Sequence, residues 1–255
     1  MTRNRVYFVS DIHLGSPYHK EPKEVERRFV TWLRGLALDA KALYLVGDIF
    51  DYWFEYKYVV PRGYVRLLGA IADLVDKGVE VHFFTGNHDL WVRDYLETEV
   101  GVILHTAPYT AEIDGKQFFI AHGDEFDYRK KSFRLLRAIF HSKLCRVLYA
   151  AVHPRWTVGL AMRWSLQSRK KGVQLPGTEY QGEEREYLVE YAKNRILTEG
   201  VDAPHFFVFG HRHIMLDLML SRQSRIIVLG DWINYDSYAV WDGECMVLAT
   251  LKTEQ

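Results

Sequence analysis

The sequence has few of the features that mark secreted or membrane-spanning proteins. Its 255 residues include only two cysteines, Cys145 and Cys245, far apart in the chain. This count does not support a disulfide framework and predicts two buried free thiols in a reducing compartment. Arg, Lys and His interrupt every apolar run before it is long enough to cross a bilayer. No signal-peptide-like apolar stretch precedes the first predicted strand, so we expect a soluble protein or one bound to a membrane surface.

The sequence also lacks an excess of charge of either sign. Thirty-three Lys and Arg residues balance 33 Asp and Glu residues, which gives a formal net charge of zero. Because nucleic-acid-binding proteins typically carry a basic excess, we expect no nucleic-acid partner, and any site for a polyanion must be local. The sequence shows no internal repeat and no low-complexity linker. Its length and its apolar fraction of 48% suit one domain with one sizeable core.

Short apolar runs rich in β-branched and aromatic residues recur along the chain and predict buried strands. Amphipathic patterns predict helices between some of them, over Glu24–Leu36 and over Tyr64–Asp76. Alternation of strands and helices is typical of a layered α/β fold. The predicted strands are Val6–Val9, Leu43–Val46, Val81–Thr85, Phe118–Ala121, Phe206–Phe209 and Ile226–Leu229.

Hairpins are predicted in the middle of the chain. Val102–Leu104, Tyr109–Ile113 and Phe118–Ala121 are short and apolar, and Asp114-Gly115 separates the last two. Asp-Gly between two apolar runs is a strong hairpin signal. The sheet is therefore expected to be mixed, with antiparallel as well as parallel pairs.

The stretch from about residue 125 to 183 interrupts this alternation and is both basic and apolar. We interpret it as a helical cap inserted into a single domain that spans residues 1–255. Its apolar stripe either forms a groove for acyl chains, with a face that rests on an anionic membrane, or packs onto the core in the ordinary way. The stripe consists of Phe133, Leu136, Phe140, Leu144, Val147, Leu148 and Ala151.

Side chains that bind metals follow five of the predicted strands. Ligand sites of open α/β sheets gather at the carboxyl ends of the strands, so we expect these side chains to converge. Carboxylate and imidazole together suit Mn²⁺, Fe, Zn²⁺ or Co²⁺ better than Ca²⁺ or Mg²⁺. Each motif is weak alone, but five at strand ends predict a metal centre. The motifs are Asp11-Ile-His13, Gly47-Asp48-Ile-Phe-Asp51, Gly86-Asn87-His88-Asp89, His122-Gly123-Asp124 and Gly210-His211-Arg212-His213.

As a set, these motifs resemble the calcineurin-like metallophosphoesterase superfamily, and the match runs from residue 6 to about residue 235. The resemblance implies a four-layer α/β/β/α sandwich of mixed sheets. It also implies a phosphoesterase with two divalent metal ions, for which Mn²⁺ is the preferred candidate. One ion would be held by Asp11, His13, Asp48 and His213, and the other by Asp48, Asn87, His122 and His211, with Asp48 bridging the two.

The same resemblance implies catalytic and substrate-binding roles. His88 would donate to the phosphate or to the leaving oxygen, and Asp51 would hold its imidazole; a helix N-cap is the alternative role for Asp51. Asn87 would act as a neutral ligand beside the substrate. Asp127 is either a substrate contact or a solvated residue. The complete set of expected substrate contacts is Asn87, His88, Asp127, Ser168, Arg169, Lys170, Lys171 and His211.

Within the superfamily, the chain is most similar to the UDP-2,3-diacylglucosamine pyrophosphatases of lipid A biosynthesis. The similarity rests on the chain length, the stretch Gly47–Trp53, the insertion after His122-Gly123-Asp124 and the late motif Leu229-Gly230-Asp231-Trp232. It implies a lipid-linked sugar nucleotide as substrate, with release of UMP and 2,3-diacylglucosamine 1-phosphate. It also implies a cytoplasmic protein, peripheral on the inner face of the bacterial inner membrane. His88 differs from the Arg that this family carries after the Asn.

Two other functions stay open. A phosphomonoesterase or phosphodiesterase acting on another nucleotide or phosphorylated metabolite is favoured by His88 and disfavoured by the apolar stripe of the cap. A metal-binding scaffold without catalysis would have lost a ligand or the His after the Asn, and the sequence keeps both. The oligomeric state is left open by the sequence.

Overall fold

The computed structural model describes residues 3–127, 138–140, 142–154, 156, 179–180 and 182–251. Eleven strands lie in this part of the chain. In chain order they are β1 (Arg5–Val9), β2 (Ala40–Val46), β3 (Glu80–Phe84), β4 (Ile103–His105), β5 (Tyr109–Ile113), β6 (Lys116–Ala121), β7 (Phe206–Phe209), β8 (Met215–Met219), β9 (Arg225–Leu229), β10 (Ser237–Trp241) and β11 (Met246–Thr250).

The strands form two mixed sheets. The first sheet has six strands in the order β11-β10-β1-β2-β3-β4, and β1 to β4 run parallel to one another. The second has five strands in the order β5-β6-β7-β9-β8, with β6, β7 and β9 parallel. β10 and β11 are antiparallel additions to the first sheet, and β5 and β8 are antiparallel additions to the second.

Within the described residues, four α-helices and four shorter helical turns have defined bounds, and residues 138–140 are also helical. The α-helices are α1 (Pro22–Leu36), α2 (Val65–Asp76), α3 (Lys143–Ala151) and α4 (Tyr187–Glu199). Leu96–Val100 forms a π-helical turn, and 3₁₀ turns occupy Asp124–Phe126, Glu183–Arg185 and Gly200–Asp202.

The helices and sheets stack in four layers. Apolar residues of α1 and α2 pack on one face of the six-stranded sheet, and those of α4 pack on one face of the five-stranded sheet. The remaining faces of the two sheets meet in a third apolar cluster. In that cluster the ring of Phe8 stacks on Tyr44 of its own sheet and on Phe118 of the other. The predicted α/β/β/α sandwich is therefore confirmed.

One of the predicted hairpins is wrong. The strand predicted at Val102–Leu104 is β4, and it pairs with β3 in the six-stranded sheet rather than with the next strand along the chain. The chain crosses to the second sheet before β5. Only β5 and β6 form a hairpin, because Asp114 and Gly115 both adopt positive φ, 48° and 76°, as the tight turn requires.

Three further expectations concern the thiols, the cap and the membrane. The predicted burial of the cysteines is wrong: Cys145 is half-buried and Cys245 is exposed, and both are free. Much of the cap lies outside the described residues, so its bounds and the single-domain description stay predictions. None of the helices that the structure describes combines the length and apolar composition that a bilayer span requires.

Candidate metal centre

The five motif loops lie at the carboxyl ends of β1, β2, β3, β6 and β7, and several of their residues have a strained backbone. Eight non-glycine residues of the described chain have φ near +50° to +65°, and five of them are predicted metal ligands. Residues with side chains rarely adopt this region, and such outliers concentrate at functional sites. The five are Asp11, His13, Asp48, His211 and His213.

The first cluster joins the loops after β1 and β7. Oδ1 of Asp11 lies 3.5 Å from Nε2 of His13 and 3.5 Å from Nε2 of His213. The two imidazoles stack with 5.0 Å between their centroids. All three side chains offer a ligand atom within 4.8 Å of one another, so together they could hold one metal ion.

The second cluster joins the loops after β2, β6 and β7. Asp48, His122 and His211 also offer ligand atoms within 4.8 Å of one another. Oδ2 of Asp48 lies 3.3 Å from Nε2 of His122 and 3.6 Å from Nε2 of His13 in the first cluster. This carboxylate oxygen therefore stands between the two clusters, as a bridging ligand would.

The buried atoms of the site fit a pair of cations. Within the described residues, Oδ1 of Asp11, Nε2 of His13, Oδ1 of Asn87 and Nε2 of His122 are buried and have no hydrogen-bond partner. Burying a polar atom without a partner costs free energy. These four belong to the predicted ligand set, and they converge in one place. Their orientation is explained if they coordinate metal ions.

Three of the histidines are oriented by oxygen atoms behind them. Nδ1 of His122 lies 2.9 Å from the carbonyl oxygen of Val46, and Nδ1 of His213 lies 3.0 Å from Oδ2 of Asp231. Nδ1 of His13 is 3.6 Å from Oδ1 of Asp51. Such contacts fix the tautomer and leave Nε2 of each ring for the metal.

The charges of the site reinforce one another. Burial would raise the pKa of Asp11, but the positive charge of His213 and the contact with the imidazole of His13 lower it to about 2. Burial would lower the pKa of His13, but its contacts with Asp11 and Asp51 raise it to about 10. The carboxylate is thus ionised, as a ligand must be. Metal binding would release the proton from His13.

His211 differs from the other ligands because burial, followed by the charge of His122, lowers its pKa to about 4. Its imidazole is therefore neutral near pH 7, the form that binds a metal ion. Its backbone N–H donates to Oδ2 of Asp11 over 2.8 Å. Asp11 thus accepts a hydrogen bond from the His211 loop through Oδ2, and its Oδ1 remains available to the first cluster.

Gly47 and Gly86 are required because neighbouring side chains lie very close to their backbone. A Cβ atom at Gly86 would collide with the carboxylate of Asp48, and one at Gly47 would collide with the ring of His122. Gly47 also has a φ of +82°. Both positions need a residue without a side chain so that the loops can meet.

Asp89 holds two of the loops together, a role that sequence reasoning did not assign to it. Its carboxylate accepts the backbone N–H of Gly86 over 2.7 Å and that of Ile49 over 2.8 Å, with longer contacts to Asp48 and Phe50. Burial and the charge of Asp48 raise its pKa to about 7. The signal available in the sequence was its position three residues after Gly86, where Asp commonly binds nearby backbone N–H groups.

Asp231 is a second residue that sequence reasoning missed. Besides His213, it accepts the backbone N–H groups of Ile233 and Asn234 through Oδ1. The next residue, Trp232, donates its backbone N–H to the carbonyl of Asp11. Asp231 follows β9, and a sixth strand ending in Gly-Asp was the signal that could have identified it.

The predicted catalytic group His88 lies at the open edge of the centre. Its Nδ1 is 2.9 Å from the carbonyl oxygen of Asp51, whereas the carboxylate of Asp51 is 3.9 Å away. The carbonyl oxygen of Asp51 therefore makes the shorter contact with the ring, and Oδ1 of its carboxylate lies between His88 and His13, 3.6 Å from Nδ1 of His13. Asp51 begins no helix, so the alternative N-cap role is wrong. His13, Asp51 and His88 form a third cluster that could hold a metal ion.

The expected substrate contacts outside the motifs are only partly described. Asp127 is half-buried, and its charge acts on Arg212 and Tyr187. Ser168, Arg169, Lys170 and Lys171 lie outside the described residues. The substrate-binding role of all five stays a prediction.

Helix α3 of the cap lies over the loops that follow β2 and β3. The hydroxyl groups of Tyr149 and Tyr52 are 3.0 Å apart, and the Tyr149 ring contacts those of Phe54 and Trp91 with centroids 4.6 and 5.0 Å away. The indole N–H of Trp91 donates to the carbonyl of Phe140. The cap therefore adjoins the residues next to Asp51 and Asp89.

Comparison with known proteins agrees with this centre. Residues 4–215 match the model of the calcineurin-like phosphoesterase family. The chain therefore belongs to the calcineurin-like phosphoesterase family, as its motifs predicted.

Its relatives are more specific. The chain is 49% identical to the UDP-2,3-diacylglucosamine hydrolase of Porphyromonas gingivalis, with 98% of each chain covered. It is 27% identical to the protein of the same name from Neisseria meningitidis serogroup B, over 96% of this chain and 98% of the relative. The corresponding protein of Nitrosococcus oceani is 28% identical, over 89% and 86%.

Proposed function

We propose that the chain is a two-metal hydrolase that cleaves the pyrophosphate of UDP-2,3-diacylglucosamine and gives UMP and 2,3-diacylglucosamine 1-phosphate. The observation that carries the substrate is the 49% identity, over nearly the whole of both chains, to a UDP-2,3-diacylglucosamine hydrolase. The reaction class is supported by the two ligand clusters that meet at Asp48.

We assign one divalent cation to each cluster. When bound, two such ions supply Lewis-acid stabilisation of phosphate oxygens and lower the pKa of water toward neutrality. We propose Mn²⁺ because the ligand set mixes carboxylate with imidazole. The first ion would be held by Asp11, His13, Asp48 and His213, and the second by Asp48, Asn87, His122 and His211.

His88 is the residue of this site that we propose to act on the phosphate. Because a carbonyl oxygen only accepts, the contact with Asp51 requires a proton on Nδ1 of His88. Nε2 is then left to hydrogen-bond the phosphate or the leaving oxygen. The side chain is one-third exposed, which keeps it accessible to a substrate.

Replacement of His88 tests this role. His88→Ala should lower kcat by roughly 10²-fold, the lower end of the effect of removing a general acid. The metal content should stay at the wild-type value, because the backbone N–H of residue 88 still donates to Oδ1 of Asp48. Steady-state kinetics and metal analysis of the purified protein measure both quantities.

His205→Ala provides the matched control, because His205 precedes β7 at the end of the strand away from the metal centre. It should leave kcat unchanged. Loss of metal from the His88→Ala variant would contradict the proposed role of His88.

The substrate is tested by product analysis. The Mn²⁺-loaded protein is incubated with UDP-2,3-diacylglucosamine, and the products are separated by mass. We expect UMP and 2,3-diacylglucosamine 1-phosphate in equal amounts, and neither product from the Asp48→Asn variant or after chelation. Release of UDP, or cleavage of bis(p-nitrophenyl) phosphate but not of the sugar nucleotide, would contradict the proposed substrate.

We also propose that the protein is cytoplasmic and that α3 rests on an anionic membrane. Leu144, Val147 and Leu148 project from α3 with 59–67% of their surface exposed. Lys143 and Arg146 lie on the same short helix and would attract anionic lipid. An exposed apolar stripe beside basic residues is typical of helices that bind membrane surfaces.

Vesicle flotation tests this proposal. The wild-type protein should float with vesicles that contain anionic lipid, and the Leu144→Glu/Leu148→Glu variant should not. The Leu197→Glu/Val201→Glu variant is the control, because these residues are also apolar and are even more exposed, but lie in the last turn of α4 and in the 3₁₀ turn that follows it. Equal flotation of all three proteins would contradict the role of α3.

A further inference from the structure

Arg212 lies between two predicted metal ligands but contacts a different part of the molecule. Its guanidinium donates from Nε to Oε2 of Glu186 over 2.8 Å and from Nη2 to Oε1 over 2.7 Å. The neighbours His211 and His213 belong to the two metal clusters. The Arg212 side chain is 15% exposed and that of Glu186 only 2%.

This pair has the geometry of a positioning contact. Two parallel hydrogen bonds between a planar guanidinium and a carboxylate fix direction as well as distance. A buried ion pair contributes little net stability, since apolar residues of similar size often serve as well. The two parallel hydrogen bonds between Arg212 and Glu186 instead give a defined orientation to the loop that carries Arg212.

Glu186 marks the place where the chain returns from the cap to the core. It immediately precedes α4, and its carbonyl oxygen accepts the N–H of Glu190 in the first turn. In the same turn, Leu188 packs so closely on Gly123 that a Cβ atom there would lie 3.2 Å from its side chain. The start of α4 therefore contacts the loops of His122 and of His211–His213.

Two further contacts of the loop involve the metal centre. The backbone N–H of His211 donates to Asp11, and the ring of His213 contacts Asp231, so both of these contacts belong to the metal centre itself. Among the contacts described for Gly210–His213, the pair with Glu186 joins this loop to the returning segment.

We propose that the Arg212–Glu186 pair is a positioning device that holds the His211–His213 loop in register with the segment returning from the cap. Its function is to keep both imidazoles directed at the metal ions. This inference rests on the proposed two-metal centre. Arg212 acts through the two histidines and is a positioning residue.

Calorimetric titration of the metal-free protein with Mn²⁺ tests the inference without any substrate. Arg212→Met and Glu186→Gln should each weaken apparent Mn²⁺ affinity by about 10-fold, as the loss of an outer contact of a metal ligand typically does. Arg212→Lys keeps the positive charge but cannot form the two parallel hydrogen bonds of the guanidinium, so its Mn²⁺ affinity should be intermediate.

A second arginine–carboxylate pair with two parallel hydrogen bonds, in the five-stranded sheet, supplies the control. Arg225 binds Asp217 through the same two nitrogen atoms, across the β8–β9 pair. Arg225→Met and Asp217→Asn therefore remove an equivalent contact away from the proposed metal ligands. Both variants should bind Mn²⁺ with wild-type affinity.

A double variant separates positioning from stability. In Arg212→Met/Glu186→Leu no charge is left buried without a partner, so the Tm measured without metal should recover relative to the single variants. The Mn²⁺ affinity should stay low, because the apolar pair does not fix the direction of the loop.

The outcomes distinguish this inference from the proposed function. If the wild-type protein takes up no Mn²⁺, the manganese centre on which the inference rests is contradicted. If the wild type binds Mn²⁺ and the Arg212→Met and Glu186→Gln variants bind it equally well, the positioning role is overturned, whatever happens to the Tm. Recovery of both Tm and affinity in the double variant would also overturn it.

Discussion

Asp231 lies directly behind one of the predicted metal ligands. Its Oδ2 is 3.0 Å from Nδ1 of His213, and its Oδ1 accepts two backbone N–H groups in the following turn. The carboxylate itself is fully buried. Because these hydrogen bonds hold the carboxylate in place, it fixes the orientation of the imidazole. Such contacts behind a metal ligand tune the affinity for the metal.

Replacement of Asp231 should weaken the first metal site. Asp231→Asn keeps the size of the side chain but removes the charge that orients His213, so we expect a 10- to 100-fold loss in apparent Mn²⁺ affinity. Calorimetric titration measures this loss. Asp114→Asn is the control, because Asp114 accepts the indole N–H of Trp241 at a turn of the second sheet. Equal losses in both variants would argue against a specific role for Asp231.

At the scale of single elements, β3 and β4 together carry a histidine pair, His82 and His105, that is not among the proposed metal ligands. Nδ1 of His82 lies 3.0 Å from Nε2 of His105 on β4, and the ring of His82 stacks on Tyr44 of β2 with centroids 4.3 Å apart. Its Nε2 is 3.8 Å from the exposed carboxylate of Glu80. The ring of Tyr109 on β5 stacks on that of His82 and lies tilted against that of His105. Burial, followed by the charge of His105, lowers the pKa of His82 to about 4.

This pair should make the sheet sensitive to acid. Because the pKa of His82 is lower in the folded chain than the ordinary value of 6.5, the unfolded chain binds more protons between pH 6.5 and about 4. Its contribution to stability is complete above pH 6.5 and is lost as the pH falls to 4. Urea unfolding of the metal-free protein across this range should show a steeper loss for the wild type than for His82→Phe. Parallel curves would contradict the assignment.

The sequence predicted most elements because their signals are local. Strand periodicity and the apolar stripes of α1 and α2 each depend on residues only a few positions apart in the sequence. The same is true of the Asp114-Gly115 turn. The partner of β4 was not predictable in this way, since the choice between two sheets depends on packing far away in the chain. For α3, the apolar stripe was visible, but which residues would be exposed depended on its contacts with Phe54 and Trp91.

At the scale of the whole molecule, the two sheets present the carboxyl ends of their parallel strands at one edge of the sandwich. The six-stranded sheet supplies Asp11, His13, Asp48 and Asn87, and the five-stranded sheet supplies His122, His211 and His213. Each of the two clusters proposed to hold a metal ion contains residues from both sheets. The packing of the two sheets therefore sets the distance between carboxylates and imidazoles.

All seven proposed metal ligands were named from the sequence, because each stands in a motif directly after a strand. The residues that hold them also stand in sequence motifs, but their roles were not predicted. Asp89 contacts a loop about forty positions away, Asp231 contacts His213 from the next strand end, and Arg212 contacts Glu186 across the return of the cap. The partners in these contacts are far apart in the chain and meet only once the layers have assembled.

Anomalous diffraction from crystals of the Mn²⁺-loaded protein decides whether the seven side chains bind two ions. We expect two peaks roughly 3.5–4 Å apart, the spacing of two-metal hydrolases, with the carboxylate of Asp48 between them. Asp48→Asn crystals should lose at least one peak. An absence of peaks at this edge of the sandwich, or a single peak among His13, Asp51 and His88, would contradict the two-metal centre.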